Sequence, residues 1–326
     1  SLKGHTATVK ALVVSPRGNT LYSTGSNGRV LSWDLNDAVP SPRTILKNTT
    51  DNICLAISPN GRYLAVGSDD GSLQVVDLSY PEASPIGLSG NQGTIYAMAF
   101  NRENQLFTSG SNKNILLWDL SSKTATEYYR GSTGMRAIQL SQDGRFLAAG
   151  ADDGRLLLWE IKTAKLSVLL GDNANPIYSV AFNNSGTLLV SGDVKGIITF
   201  WNPYSHKLIL NYNKHSARVV DISFSPVSDL MATSSYDGSA YIFDTKNVSS
   251  PPIMIREPSS WILSVAFSAD GKRLMLATNR PDFLVSYPTL PKYIVSELCS
   301  KISHGISTEE WNSYIGSDIK YKKPCE

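Results

Sequence analysis

The chain has 326 residues, of which 41% are hydrophobic and 18% are charged. Thirty Lys and Arg residues stand against 28 Asp and Glu residues, so the formal net charge is only +2. This balance does not favour nucleic acid or an anionic membrane as the partner. No apolar run approaches the roughly 18 residues of a membrane-spanning helix, and no signal peptide opens the sequence.

The three cysteines, Cys54, Cys299 and Cys325, are far apart and odd in number. Their spacing matches no zinc or redox motif, which favours a reducing compartment and predicts a cytoplasmic location. The polar loops show no metal-ligand or phosphate-loop spacing either, so no cofactor is predicted. The chain begins at Ser1, without a Met and already inside a motif, and we expect it to be either a fragment of a longer protein or a processed product.

A motif of about 42 residues recurs seven times, and each copy ends in an aromatic or bulky residue, usually followed by an acid or amide. The copies end at Trp33-Asp34, Val76-Asp77, Trp118-Asp119, Trp159-Glu160, Trp201-Asn202, Phe243-Asp244 and Tyr287-Pro288. The intervals between these anchors are 43, 42, 41, 42, 42 and 44 residues. A fixed period of this size predicts a repeat protein whose units bury their apolar faces by stacking on one another.

The first copy contains four predicted strands separated by turns. In chain order, the strands are Val9–Val14, Leu21–Gly25, Arg29–Trp33 and Arg43–Leu46. Pro, Gly and Asn between residues 15 and 19 indicate a turn, and Asn27-Gly28 is typical of a hairpin. The second copy repeats this order, with a hairpin at Asp69-Asp70-Gly71.

Four short strands per period predict one small antiparallel sheet, and seven such sheets arranged radially form a β-propeller. The fold class is therefore all-β, with a seven-bladed propeller of four-stranded blades over residues 1–288. Gly4-His5, the Trp-Asp endings at Trp33 and Trp118, the Ser-Pro-x-Gly turns and the Asp-Asp-Gly hairpins resemble the WD-repeat family. The similarity recurs in phase over residues 1 to about 288.

The resemblance implies a hydrogen-bonded group of His, Ser or Thr, Asp and Trp inside each blade. Blade one offers His5, Ser23, Asn27 and Trp33, and blade six offers His215, Thr233, Asp237 and Phe243. Asp70 and Asp153 fill the Asp position of their blades without a His. Because these residues occupy equivalent positions within single blades, we interpret them as structural rather than as a Ser/His/Asp catalytic site.

The resemblance also implies that two positions per blade face the mouth of the central channel. One lies at the start of the innermost strand, and the other directly precedes the hairpin Asp. Tyr, Trp and Arg are enriched at protein-interaction hot spots. The candidate binding residues are Lys10, Tyr96, Arg136, Tyr178, Arg218, Tyr236 and Trp261. Further positions of the two sets are Asn52 and Cys54 in blade two, Asp69, Asp152, and Arg280 in blade seven.

Residues 289–326 form a separate region, predicted to be a helical tail that packs on the propeller. Pro291 is suited to a helix start, and an apolar stripe along residues 293–303 predicts one helix. Ser307 and Glu310 form a capping box for a second helix through Trp311 and Tyr314.

The tail is similar to the ends of bacterial WD-repeat proteins, several of which are signalling ATPases of the STAND type. This implies that the chain is the C-terminal sensor of a larger bacterial signalling protein, with effector and ATPase domains upstream. The leading hypothesis is a non-catalytic scaffold that binds a protein or peptide at the channel mouth.

Two alternatives remain open at this level. One is a propeller enzyme of the lactonase or hydrolase type, which needs His, Asp or Glu residues to converge in the channel; the chain has four His. The other concerns the closure of blade seven, the most divergent blade. Either the stub Ser1-Leu2-Lys3 or residues upstream of it supply the closing strand.

Overall fold

The computed structural model describes residues 2, 4–37, 40–90, 93–170, 175–257, 259–280 and 284–290. The chain divides into two compact units, Ser1–Ser286 and Tyr287–Glu326. The predicted tail helices lie outside the described residues.

The first four blades are four-stranded antiparallel sheets with strands in sequence order. Blade one comprises β1 (Val9–Val14), β2 (Thr20–Gly25), β3 (Arg29–Asp34) and β4 (Pro42–Lys47). Blade two comprises β5 (Asn52–Ile57), β6 (Tyr63–Ser68), β7 (Leu73–Asp77) and β8 (Ile86–Leu88). Blade three comprises β9 (Ile95–Phe100), β10 (Leu106–Gly110), β11 (Asn114–Asp119) and β12 (Thr124–Arg130). Blade four comprises β13 (Met135–Leu140), β14 (Phe146–Ala151), β15 (Leu156–Glu160) and β16 (Lys165–Leu170).

The last three blades continue the pattern, except that the seventh sheet has three strands among the described residues. Blade five comprises β17 (Ile177–Phe182), β18 (Leu189–Asp193), β19 (Ile197–Asn202) and β20 (Lys207–Asn213). Blade six comprises β21 (Val219–Phe224), β22 (Leu230–Ser235), β23 (Ser239–Asp244) and β24 (Ile253–Arg256). Blade seven comprises β25 (Ile262–Phe267), β26 (Arg273–Thr278) and β27 (Leu284–Pro288). The predicted all-β, seven-bladed propeller is confirmed.

The hydrophobic core lies between neighbouring blades rather than within one sheet. One cluster joins Leu73 and Val75 of blade two to Leu106 and Trp118 of blade three. The second strands are buried along most of their length, whereas the outer strand β12 is largely exposed. Burial between the sheets explains why a single repeat cannot fold alone and why the period runs unbroken along the chain.

The ring closes between blade seven and blade one. The innermost strands β25 and β1 are neighbours, and one apolar cluster contains Val9 and Trp33 together with Met275 and Leu284. Leu2 forms an antiparallel bridge to Leu284, with its N–H donating to the Leu284 carbonyl at 3.0 Å. Leu2 therefore lies beside β27, in the place of a fourth strand of blade seven.

Hydrogen-bonded groups lie inside blades one and six, as the repeat positions predict, but Asn27 is not part of the group in blade one. Its Nδ2 donates to Thr6 Oγ1 at 3.2 Å, and His5 Nδ1 has no hydrogen-bond partner among the described residues. In blade one, Ser23 Oγ lies 2.7 Å from His5 Nε2 and accepts a hydrogen bond from Trp33 Nε1 at 3.0 Å. All three side chains are buried. In blade six, His215 Nε2 lies 2.9 Å from Thr233 Oγ1, and its Nδ1 lies 3.1 Å from Asp237 Oδ2. Each group lies within one blade, so its members do not converge on a common cleft.

Candidate functional site at the channel mouth

The innermost strands of the seven blades surround a central channel with a cavity volume of about 650 Å³. Six of the seven predicted binding residues line it, namely Lys10, Tyr96, Arg136, Tyr178, Arg218 and Tyr236. The seventh, Trp261, directly precedes β25, and half of its surface is exposed (50%).

One hydrogen bond in each blade fixes the two rim positions. The donor is the backbone N–H of the residue directly before the hairpin Asp position. The acceptor is the carbonyl of the residue before the inner strand, at 2.9–3.3 Å. The pairs are Ser26 and Thr8, Asp69 and Asp51, Ser111 and Thr94, Asp152 and Gly134, Val194 and Pro176, Tyr236 and Arg218, and Asn279 and Trp261. The two rim positions are thus hydrogen-bonded to each other in every blade.

In two blades, the rim positions differ by one residue from the sequence prediction. In blade two, Asp51 and Ile53 occupy the places predicted for Asn52 and Cys54. Asn52 is instead fully buried, and its Oδ1 accepts hydrogen bonds from Asn48 Nδ2 at 2.8 Å and Ser68 Oγ at 3.0 Å. In blade seven, Asn279 takes the place predicted for Arg280.

Six predicted residues form a continuous stack along the rim, from blade three to blade seven. We call this stack the rim ladder; in order, it comprises Tyr96, Arg136, Tyr178, Arg218, Tyr236 and Trp261. Arg136 Cζ lies 4.0 Å from the Tyr96 ring centroid and 5.3 Å from that of Tyr178. Arg218 Cζ lies 3.8 Å from the Tyr178 centroid and 5.0 Å from that of Tyr236. Such cation–π contacts hold flexible arginines in fixed orientations.

The ladder ends in a pair of stacked aromatic rings. The Tyr236 and Trp261 ring centroids are 4.9 Å apart, and the ring planes differ by 13°. The backbone N–H of Trp261 donates to Asn279 Oδ1 at 2.7 Å, which fixes the main chain that carries the indole ring. Lys10 lines the channel from blade one and makes none of the ladder's cation–π contacts.

The two arginines of the ladder differ in their counter-charge. Arg136 Nε lies 2.6 Å from Asp152 Oδ1, in an ion pair that is about one-quarter to one-third exposed (27% and 31%). Among the residues that the structure describes, Arg218 has no carboxylate within ion-pair distance. Its Nε is buried and has no hydrogen-bond partner there.

Asp221 is a channel residue that the sequence prediction missed. Its Oδ2 accepts hydrogen bonds from Ser264 Oγ at 2.7 Å and the Val265 N–H at 3.0 Å, and Ser264 Oγ accepts one from the Leu12 N–H at 3.3 Å. Burial raises the pKa of Asp221 above its ordinary value, against the effect of these bonds. The bonds join blades six, seven and one. The sequence contained a signal for this residue, because Asp221 is the only acid at its inner-strand position. The other six blades have an uncharged residue there, namely Ala11, Cys54, Ala97, Ala137, Ser179 and Ser264.

Within the described parts of the chain, no group of three or more His, Cys, Asp or Glu residues could hold a metal ion. In the same residues, no helix has the length and apolar character to span a membrane. The buried thiol of Cys54 lies 3.4 Å from the Ile95 carbonyl, and burial raises its pKa to about 12. This thiol therefore remains protonated at neutral pH.

The family model described as WD domain, G-beta repeat matches the chain six times. The matched residues are 1–34, 40–77, 84–119, 123–160, 164–202 and 206–244. The chain belongs to the WD-repeat family. The matches end before blade seven, the blade with three strands in its sheet.

Several curated relatives resemble this WD-repeat chain at low identity. Periodic tryptophan protein 2 of Arabidopsis thaliana is 24% identical over 72% of this chain and 26% of the relative. Actin-interacting protein 1 of Caenorhabditis elegans is 25% identical over 78% of this chain and 42% of the relative. A guanine nucleotide-binding protein subunit beta of Zea mays is 24% identical over 91% of this chain and 73% of the relative. The chain thus spans less than half the length of the first two.

Proposed function

We propose that this WD-repeat propeller is a non-catalytic scaffold that binds a protein or peptide segment at its channel mouth. The observation that carries the proposal is the rim ladder, with its exposed terminal Trp261. Two similar proteins have names that describe association, one as actin-interacting and one as a subunit of a guanine nucleotide-binding protein. The proposed partner is a polypeptide, and nucleic acid is not proposed.

The ladder suits polypeptide binding because its side chains are already ordered. Binding normally costs the freedom of each long side chain that becomes fixed. Stacking holds Arg136 and Arg218 against rigid tyrosine rings before any partner arrives. The stacked rings of Tyr236 and Trp261 add a broad apolar surface of the type that forms interaction hot spots.

A finer proposal places this propeller as the C-terminal sensor of a larger bacterial signalling protein in the cytoplasm. It rests on the resemblance of residues 308–319 to the ends of STAND-type proteins, whose ATPase domains lie upstream. The full open reading frame around the segment tests it, since an ATPase module directly upstream is the expected finding. An unrelated upstream region would remove the sensor assignment and leave the binding proposal intact.

The test of binding uses random 12-residue peptides displayed on phage and selected on the wild-type protein. We expect the double variant Tyr178→Ala/Trp261→Ala to bind the selected peptides at least tenfold more weakly, because it removes two of the ladder's aromatic surfaces. Affinity is measured by fluorescence anisotropy with synthetic copies of the peptides.

The matched control is Tyr80→Ala, which removes an aromatic ring that is 68% exposed outside the rim ladder. It should leave the affinity unchanged. Circular dichroism melting confirms that both variants are folded. Equal affinity of the wild-type protein and the double variant for the selected peptides would reject the channel-mouth proposal.

A further inference from the structure

Arg218 is held in a fixed orientation by two tyrosines on the rim ladder. Its guanidinium lies over the Tyr178 ring at 3.8 Å and near the Tyr236 ring at 5.0 Å. Stacking occupies the faces of a guanidinium and leaves its N–H donors pointing outward in the plane. Arg218 therefore has a fixed orientation before any acceptor binds to these donors.

No described residue provides that acceptor. In blade four, the hairpin position holds Asp152, which pairs with Arg136 at 2.6 Å. In blade six, the same hairpin position holds Tyr236, which supplies a ring and no charge. The Nε atom of Arg218 is buried and lacks a hydrogen-bond partner among the described residues. Because Nε is closed to solvent, an acceptor brought by a ligand reaches the terminal guanidinium nitrogens instead, which are accessible and also have no hydrogen-bond partner among the described residues.

The acid nearest in sequence is already engaged. Asp221, three residues further along, accepts hydrogen bonds from Ser264 and the Val265 N–H. Lys10 adds a second positive charge to the channel wall from blade one. The channel mouth thus contains one arginine paired with a carboxylate, one arginine with no carboxylate partner among the described residues, and Lys10 two blades away from the second arginine.

We infer that Arg218 binds the side-chain carboxylate of an Asp or Glu residue in the peptide that the channel mouth receives. The planar guanidinium binds a carboxylate through two parallel hydrogen bonds, a bidentate geometry that a lysine does not provide. The stacked Tyr236 and Trp261 rings then contact an apolar residue beside the acid. This inference rests on the proposed function and names the chemical class of its ligand.

The test uses nonapeptide pools in which position five is fixed as Glu, Gln or Lys and the other positions are random. All pools are acetylated and amidated, except for one additional Gln pool with a free C-terminal carboxylate. We expect the Glu pool to bind the wild-type protein about tenfold more tightly than the amidated Gln pool, the usual scale for a hydrogen bond to a charged group.

Three variants locate the effect, of which Arg218→Gln and Arg256→Gln change the net charge equally. Arg218→Gln should abolish the preference for Glu over Gln, and Arg218→Lys should restore only part of it. Arg256→Gln changes an exposed arginine at the end of the outer strand β24 of the same blade, and the preference should remain. Melting temperatures establish that all three variants are folded.

Each other outcome contradicts a defined part of the inference. A preference shown only by the free-acid Gln pool would overturn the assignment to a side chain, because the acceptor would be the peptide end. Equal binding by the Glu, Gln and Lys pools would overturn the carboxylate site. If that equal binding were still lost in Tyr178→Ala/Trp261→Ala, the proposed function would stand. If no pool bound, both would fail.

Discussion

Asp237→Ala is expected to lower the free energy of unfolding by about 3–5 kcal/mol, because it removes a carboxylate that accepts several hydrogen bonds, each worth about 1.5–3 kcal/mol when one partner is charged. Asp237 accepts hydrogen bonds from the backbone N–H groups of Ser216 and Ser239, both at 2.8 Å, and lies 3.1 Å from His215 Nδ1. Burial raises its pKa, but the bonds to His215, Ser239 and Ser216 outweigh burial and hold the pKa far below its usual range. The variant leaves these groups without their acceptor, and urea denaturation measures the loss.

Asp70→Ala is the matched control because Asp70 is the residue of blade two that is equivalent to Asp237. Asp70 is exposed, and its Oδ1 accepts a hydrogen bond from the Ser72 N–H at 2.8 Å. We expect this variant to cost only about 1 kcal/mol, the usual net contribution of one hydrogen bond. Similar losses for both variants would mean that the hairpin turn, rather than the buried His215 group, dominates the contribution of this position.

His5 is expected to make the protein less stable as the pH falls from about 6.5 to 4. Burial lowers the pKa of His5 from 6.5 to about 4. In this pH range the unfolded chain binds a proton that the folded chain does not, so stability rises with pH between these limits and falls on acidification. The contribution of His5 lost by pH 4 is about 3 kcal/mol, from about 1.4 kcal/mol per pKa unit.

His5→Gln isolates this effect from that of the carboxylates, which titrate over part of the same range. Urea denaturation of both proteins at pH 7, 5.5 and 4 gives two stability profiles. The wild-type profile should fall more steeply, and the gap between the two proteins should narrow towards pH 4. Parallel profiles would show that the His5 ring binds a proton equally well in the folded and unfolded states.

Much of the fold could be predicted from the sequence because its determinants are local. The predicted strand Val9–Val14 matches β1 residue for residue. The predicted hairpin glycine Gly28 has a φ of 66°, a left-handed conformation that glycine adopts without strain. Similarly, the equal spacing of His5 from Asn27 and of His215 from Asp237 located the two histidine-containing groups.

The rim positions were harder to predict because they depend on register. Every inner strand has an irregularity near its start, as between Asn52 and Cys54 in blade two. This irregularity shifts the alternation of side chains, and the sequence assigned Asn52 to the rim although it is buried. The two residues of each hydrogen-bonded rim pair lie 18 residues apart in six blades and 17 residues apart in blade three. Applied strictly, that spacing would have identified Asp51 and Asn279.

The stacking itself could not be predicted from one sequence. Tyr96, Arg136, Tyr178 and Arg218 have the residue types of a binding surface, but their contact depends on side-chain rotamers and the distance between neighbouring blades. The same limit applies to Asp221, whose partners Ser264 and Val265 are more than 40 residues away in sequence. Contacts between blades, unlike those within a blade, have no short-range sequence signature.

Photo-crosslinking with a selected peptide tests the central claim, that the channel rim rather than the outer blade surface binds the partner. A diazirine group replaces one apolar side chain of the peptide, and mass spectrometry locates the crosslinked residues. The competing surface is the outer strands β16 and β20, where Val168, Leu208 and Ile209 are 54%, 50% and 48% exposed. We predict crosslinks to the rim ladder, above all to Tyr236 and Trp261. Crosslinks concentrated on β16 and β20 would contradict the account.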